Sequence, residues 1–410
     1  MTSEFLTSVT VQEALAKIDS IVFEPGQEFA GLDSAGGRIL AEDILSPESI
    51  PGFARSLVDG YAVVAKDIQG ARETSPAFLK MSGEVRIGEP AGAIVREGSC
   101  VRVSTGSMVP EGADAIVMQE YVRAMDDEVE VTRPVHKGEN IVYAGEDISA
   151  GATVMRKGKK IGPFDLGVLA AIGAGRIRVF KRPEIALLSS GDEIVPVDEK
   201  PPFGKIRDIN RHTVAGLVRS AGSRVEFAGL ARDTIEDITE KLSSAARYDM
   251  ILISGGSSKG ERDHITDSIL KLGGEVIFHG INIKPGKPTI FGRVFGKPIF
   301  GLPGHPVSCA MVTVRFVVPL LKRMAGKAPG FPLVCSGILA TNVPSSYGIE
   351  EYVRVKVSRK EDAYRVEPVF AKSSVISSLS AAHGYIIVPD GVEGLEKDER
   401  VEVYPFEENV

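Results

Sequence analysis

Leu252–Asp263 reads LISGGSSKGERD, a short apolar run that breaks into two glycines, two serines and then charges. An apolar strand that feeds a Gly/Ser turn and then a helix aims backbone N–H groups at an anion. The reason is that a helix start has free donors and the positive end of the macrodipole. Outward from it, from Pro183 to about Ala325, strand-like and helix-like segments alternate: EIALLSS, DINRHTVAGLVRSAG, SRVEFAGLA, TIEDITEKLSSAA, DMILISGG and DHITDSILKLG. That β-α order implies a mostly parallel sheet with right-handed crossovers, whose ligands sit beyond the carboxyl ends of the strands.

Three further strings are expected at the same edge: SSGDEI at Ser189–Ile194, KPGKP at Lys284–Pro288 and GLPGHP at Gly301–Pro306. In the first, Asp192 and Glu193 follow a strand, where a carboxylate can hold Mg²⁺ whose other ligands are water and phosphate. A solvated turn or helix cap is the alternative. Asp233, after EFAGLAR, and Asp263 would add carboxylates to the same rim, and Asp233 also suits the cap of a helix at TIED. In KPGKP, a stiff loop presents Lys284 and Lys287, which suit phosphate or another oxyanion. Pro303 and Gly304 make a tight turn before a helix from about Val307, whose first N–H groups and the Ser308 hydroxyl would face a bound anion. His305 suits a structural hydrogen bond better than proton transfer.

The remaining segments predict other units. Thr10 and Glu13 form a capping box for a helix with Val11, Ala14, Leu15 and Ile18 on its apolar face. Between Pro47 and Asn140, FLKMSGEVRIG, SCVRVSTGS, AIVMQEYVRAM and EVEVTRPV read as short strands between turns. Ile141–Lys181 mixes turns with a helix-like PFDLGVLAAIG and a strand GRIRVF. After GKPIFGL comes one long helix, VSCAMVTVRFVVPLLKRMAG, and from Phe331 onward SGILAT, EYVRVKV, YRVEPV, GYIIVPD and RVEVYPF suggest a small β-barrel. The division expected is 1–46 with 141–181, 47–140 as a β-rich part, 182–329 as the α/β part and 330–410 as the barrel.

Composition limits the partners. The chain has 410 residues with 44 Gly and 24 Pro, too many residues for one ordinary core. A formal charge of −7 argues against a general nucleic-acid grip, so a small-molecule partner is expected. Cys100, Cys309 and Cys335 show no metal-ligand spacing and read as reduced residues, with Cys309 in a helix core rather than a nucleophile. The start, MTSEFLTSVTVQEAL, lacks the regions of a secretion signal, and no apolar run reaches about 18 residues, so a soluble, cytoplasmic protein without membrane contact is expected.

Taken together, VDGYAV, VSTGSMVPEGADAIVMQE, GEDISAGA, SSGDEI, SGGSSKGERD, KPGKP and GLPGHPVS closely resemble, in order and interval, the molybdopterin molybdenumtransferases, the MoeA and gephyrin E-domain family. The resemblance covers essentially the whole chain. It implies an elongated multidomain α/β plus β chain: a central molybdopterin-binding-like domain, a β-rich insertion domain and a C-terminal barrel. It also implies a homodimer in which 1–46 with 141–181 form the dimerisation part. The implied reaction inserts molybdate into the dithiolene of adenylylated molybdopterin, with Mg²⁺-dependent release of AMP, and a molybdopterin adenylyltransferase would supply the pterin.

Carried over by position, the resemblance makes Glu193, Asp233 and Asp263 the acidic, Mg²⁺-holding residues and Lys284 and Lys287 the phosphate or molybdate ligands. Gly255, Gly256, Ser257, Ser258, Pro303, Gly304 and Ser308 would line the anion site. Arg354 and Ser373 would be contributed by the barrel. Asp59, Thr105 and Asp147 would be functional positions of other domains, the first two reaching the site from the partner subunit. The chain departs from the family strings at Val58, Lys259 and His305, and the readings that compete are a tungstate-inserting relative, a molybdopterin adenylyltransferase and a non-catalytic pterin-binding protein.

Overall fold

The computed structural model describes residues 8–255, 263–327, 334–360 and 363–406. Two compact units divide the chain, the first made of 1–28, 37–41 and 178–410 and the second of 29–36 and 42–177.

The first helix, α1 (Val11–Asp19), has the predicted capping box: Thr10 Oγ1 accepts the Glu13 N–H at 3.2 Å and the Glu13 carboxylate accepts the Thr10 N–H at 2.9 Å. Its apolar stripe, Val11, Ala14 and Ile18, is buried in the core of the first unit with Ile185, Val214 and Phe316. Burying a Val or Ile side chain of this kind contributes roughly 1.5–3 kcal/mol. The sequence groups 1–46 with 141–181; in the structure α1 packs on the α/β core, whereas Ile44–Leu45 pairs with Thr153–Met155 inside the second unit.

The second unit is built on a six-stranded mixed sheet of β1 (Gly60–Val63), β2 (Ala77–Val85), β3 (Ser99–Val103), β4 (Ala115–Met118), β5 (Val122–Met125) and β6 (Glu128–Val131). The strands lie in the order β4-β1-β3-β2-β6-β5. Helix α2 (Pro163–Ala171) belongs to the same unit. It is apolar almost throughout, yet only Leu169 among its residues is buried.

In the first unit, β7 (Glu184–Ser190), α3 (Asn210–Ser220), β8 (Arg224–Ala231), α4 (Ile235–Ser244), β9 (Met250–Ser254) and α5 (His264–Lys271) follow the predicted alternation. They are succeeded by β10 (Glu275–His279), β11 (Ile283–Lys284), β12 (Ile290–Val294) and β13 (Lys297–Leu302). The main sheet has the order β8-β7-β9-β13-β12-β10. Its first four strands are parallel, and β12 and β10 add an antiparallel edge. All five residues of β9 are buried, as expected of a strand covered on both faces.

The single helix expected after GLPGHP is in fact α6 (Pro306–Val312), a π-turn at Thr313–Val317 and α7 (Val318–Met324). Pro319 explains the break: it lacks an N–H and crowds the carbonyl four residues back, so the ladder widens just before it.

The C-terminal part contains β14 (Cys335–Leu339), β15 (Glu350–Lys360), β16 (Ala363–Pro368), β17 (Gly384–Val388) and β18 (Arg400–Pro405). They run in the order β15-β16-β14-β18-β17, and β17 pairs back onto β15, so the five strands close into a barrel. The short β11 adds to it in parallel with β15, pairing Lys284 with Glu351. No helix among the described residues is long and apolar enough to cross a membrane.

Candidate active site

The predicted anion loop begins where β9 ends. Gly255 has φ +101°, and a Cβ on it would stand 2.0 Å from the Ser190 carbonyl oxygen, so only glycine lets the ends of β7 and β9 meet. Its N–H donates to the Leu302 carbonyl at 3.2 Å, which ties in the end of β13. Gly256, Ser257 and Ser258 lie outside the described residues.

On one side of this row is an acidic group. Ser190 Oγ donates to Asp233 Oδ1 at 3.1 Å, the Asp233 N–H faces Asp192 Oδ1 at 3.4 Å, and the Glu193 carboxylate folds back over Gly191. Two residues that the motifs did not single out support it. Asp208, 7% exposed, accepts the Ser189 hydroxyl at 2.6 Å and caps α3 through the Arg211 N–H at 3.0 Å. Asn210 Nδ2 donates to the Gly304 carbonyl at 2.8 Å and fixes the GLPGHP turn from below. The only signal for either in the sequence is the RDIN string, which reads as an ordinary helix start.

On the other side is a basic group that joins the KPGKP loop to the barrel. Lys284 Nζ lies 3.0 Å from Glu351 Oε1, while Lys287 is exposed and has no ion-pair partner among the described residues. Arg354 is 7% exposed; its guanidinium donates to Ser378 Oγ at 3.1 Å and to the Ala371 carbonyl at 2.7 Å. Burial lowers its pKa, against the opposing charge of Glu351. Arg354 therefore braces the loop that carries Ser373. Ser373 Oγ shares a hydrogen bond of 3.0 Å with His305 Nδ1, so His305 has the structural bond expected of it.

The start of α6 differs from the expectation of free donors. The Val307 N–H donates to the Ser373 carbonyl at 3.0 Å, the Cys309 N–H donates to His305, and the Ser308 side chain is buried. A chain segment from the barrel thus occupies the place in which an anion was expected. Cys309 is 1% exposed, and burial, with the charge of Asp208 next, pushes its thiol far up, which fits a core residue and not a nucleophile.

Asp263 is set apart from the other carboxylates. It caps α5 by accepting the N–H groups of Ile265 and Thr266 at 3.1 and 3.3 Å, and its other oxygen takes the Thr266 hydroxyl at 3.0 Å and lies 3.2 Å from His279 Nε2. His279 closes β10 and Ser190 closes β7; these strands are four positions apart in the sheet, roughly 19 Å. Among the described residues no group of three or more His, Cys, Asp or Glu side chains is placed to hold a metal ion. Mg²⁺, which keeps its oxygen ligands at about 2.1 Å, suits the Asp192, Glu193 and Asp233 end only as an ion held by one or two carboxylates plus water and phosphate.

In the second unit, Asp59 Oδ1 accepts the Thr105 N–H at 2.8 Å and the Thr105 hydroxyl at 3.2 Å, so VDGYAV and VSTGS form one exposed corner. Asp147 is exposed in a turn and donates its N–H to the Ile50 carbonyl at 3.1 Å.

Residues 9–173 match the MoeA N-terminal region (domain I and II), 186–323 match the family described as "Probable molybdopterin binding domain", and 336–406 match the MoeA C-terminal region (domain IV). A molybdopterin biosynthesis MoeA protein from Pyrococcus horikoshii superposes with a TM-score of 0.85 at 36% identity, over 98% of this chain and 100% of that one. The chain belongs to the MoeA family. Its relatives in this family include the molybdopterin molybdenumtransferase of Haemophilus influenzae, 32% identical over 97% of this chain and 98% of that protein. Another is a protein of Methanocaldococcus jannaschii named for molybdopterin biosynthesis, 35% identical over 95% of this chain and 97% of its own length.

Proposed function

We infer that this MoeA-family chain is a transferase of molybdenum cofactor biosynthesis, and we propose that it inserts molybdate into the dithiolene of adenylylated molybdopterin. The two dithiolene sulfurs form Mo–S bonds as one molybdate oxygen leaves as water with the two thiol protons, and a second water adds across the phosphoanhydride, breaking its P–O bond to give the pterin monophosphate and AMP. The observation that carries this reading is the arrangement along the carboxyl edge of the sheet. The carboxylates at the ends of β7 and β8 lie on one side, and Lys284, Lys287 and the Ser373 loop lie on the other. Such an edge suits a substrate with a pyrophosphate at one end and an oxyanion receptor at the other.

Lys287, with no ion-pair partner among the described residues, is the cation best placed to take up an oxyanion charge, and Lys284 can be released from Glu351 to join it. Ser373, fixed by His305 and by the Arg354-braced loop, offers a hydroxyl at the same end. Asp233, oriented by Ser190, borders the place for the phosphates with Glu193. When bound there, Mg²⁺ would neutralise phosphate charge, held by Glu193 and Asp233. Asp263 acts through the start of α5 and His279.

The active form we propose is a homodimer in which the Asp59–Thr105 corner of one subunit serves the site of the other. The uncovered apolar surface of α2, with Phe164 92% exposed, supports a partner copy. The adenylylated pterin would be handed over by an adenylyltransferase. Three free cysteines suit the reducing cytoplasm.

The test is AMP release by the purified protein with Mg²⁺, without oxyanion and then with molybdate or tungstate. Release that depends on oxyanion is expected, and the better anion identifies the metal inserted. Tight pterin binding with no release under any condition would refute the transferase reading in favour of a binding protein.

A further inference from the structure

The opposite edge of the same sheet holds a second cavity, which the proposed reaction does not use. It has an open volume of about 380 Å³ and is bounded by residues 21–26, 181–183 and 296–298 together with Asp249, Arg293 and Met324. Pro183 and Asp249, which immediately precede β7 and β9, and Lys297, which opens β13, border it, so a strand of seven residues, roughly 23 Å, separates it from the carboxyl edge.

Its charge is unlike that of the chain as a whole. Lys181, Arg182, Arg293 and Lys297 line it against Glu24 and Asp249, although the net charge of the protein is −7. The Asp249 carboxylate is already engaged by the Glu184 N–H at 2.8 Å. Arg293 has only a loose partner, Glu275 at 3.9 Å, and Lys181 and Arg182 have no ion pair within the described residues. Exposed pairs as long as that of Arg293 contribute little, so its guanidinium is available to a ligand.

The walls are built rather than incidental. The Arg323 guanidinium holds the Ile18 and Ile21 carbonyls at 3.4 and 3.0 Å, and the Lys181 N–H donates to the Gly26 carbonyl at 2.8 Å. Pro25, Pro183 and Pro298 stiffen three sides, and the buried Ile21 and Met324 supply an apolar floor.

We propose that this cavity binds a small organic phosphate monoester, of the size of a sugar phosphate or a nucleoside monophosphate. A phosphate dianion matches the forked guanidiniums of Arg182 and Arg293, with Lys181 and Lys297 adding charge. The apolar floor takes the organic body, and Glu24 is free to accept from a ligand hydroxyl. The volume is in the range of small-ligand sites, about 300–1,000 Å³. This site is independent of the reaction at the carboxyl edge, and its failure would leave that reading intact.

The test is calorimetric titration of the full chain at low salt with ribose 5-phosphate, AMP, inorganic phosphate and adenosine, repeated on the variants R182A/R293A, R182E and K287A. Ribose 5-phosphate or AMP should bind more tightly than inorganic phosphate, and adenosine should not bind. The ester that binds more tightly names the source. R182A/R293A and the exposed single change R182E should each weaken ribose 5-phosphate binding at least about 10-fold, and K287A, at the carboxyl edge where AMP also binds as a product of the proposed reaction, should leave ribose 5-phosphate binding unchanged. The proposal is overturned if no ester binds, if inorganic phosphate binds as tightly as the esters, if R182E has no effect on ribose 5-phosphate binding, or if K287A removes that binding.

Discussion

Ser373 Oγ lies 3.0 Å from Nδ1 of His305, and the carbonyl of the same serine accepts the Val307 N–H at 3.0 Å. The barrel loop is therefore pinned at two points to the start of α6. Only one of the two, the side-chain bond, can be removed without touching the backbone.

Replacing His305 with Ala removes that bond and leaves the backbone clamp in place. One hydrogen bond of this kind contributes about 1 kcal/mol, so molybdate-dependent AMP release should need roughly 5-fold more molybdate. His305 is exposed, and the melting temperature should move by no more than about 2 °C. An unchanged molybdate dependence in a titration of turnover would mean that Ser373 is not an oxyanion ligand.

Asp263 has a structural role as well as a proposed functional one. Its side chain is 14% exposed, and its two oxygens serve two backbone donors, a hydroxyl and a histidine. Asp263→Ala should cost about 1–2 kcal/mol of stability through the lost cap, whereas Asp263→Asn keeps an acceptor for the helix start and should cost less. Both should abolish AMP release. Denaturant melts run beside single-turnover assays separate the two effects, and an Asn variant with full turnover would reduce Asp263 to a cap.

Glu28 carries a pH dependence of stability. Its carboxyl is held below the usual carboxylate range, first by the hydrogen bond from Arg38, against a smaller opposing effect of burial, with the charges of Arg38, Arg224 and Lys181 adding. Arg38 is buried and also donates to the Phe180 carbonyl at 2.8 Å. A depressed folded-state pKa stabilises fully above the unfolded value of about 4.3 and is lost as pH falls through the folded value. Glu28→Gln should melt below wild type at pH 7, and the gap should close as the pH is lowered past about 4. A constant gap across thermal melts from pH 7 to 3 would refute the assignment.

Much of the fold is legible in the sequence because local chemistry and tertiary packing agree. The Thr10–Glu13 box, the seven residues of EIALLSS and the five barrel strands stand where periodicity and turn residues put them. The β12–β13 hairpin is not legible. Its turn is Phe295-Gly296 with both residues left-handed, φ +55° and +73°, and a bulky aromatic residue gives no turn signal. The break at Thr313–Val317 is hidden for the opposite reason, since VRFVVPLL is apolar except for Arg315 and only Pro319 marks the change.

The site divides in the same way. KPGKP and SSGDEI announce charged side chains at strand ends, so Lys284, Lys287, Glu193 and Asp233 can be placed by sequence order alone. What those side chains touch cannot be placed in that way. That Arg354 faces the Ala371 carbonyl, that Ser373 closes over α6 and that His279 answers Asp263 are contacts across 17, 68 and 16 positions, set by barrel closure and sheet order, which no local pattern encodes.

Gly255 has a consequence for anyone who wishes to redesign this protein. Where β7 and β9 converge, the Ser190 carbonyl occupies the volume that a side chain on residue 255 would need, and a Cβ on Gly304 would stand 3.9 Å from the Gly255 Cα. The meeting point of the strands is bare peptide, closed to substitution at residue 255, where even a methyl group must displace a strand end. Among the described residues, the proposed oxyanion selectivity is therefore open to change from the rim, at KPGKP, at the Ser373 loop and at His305. A mutagenesis library aimed at a different oxyanion should put its diversity there and keep residue 255 fixed.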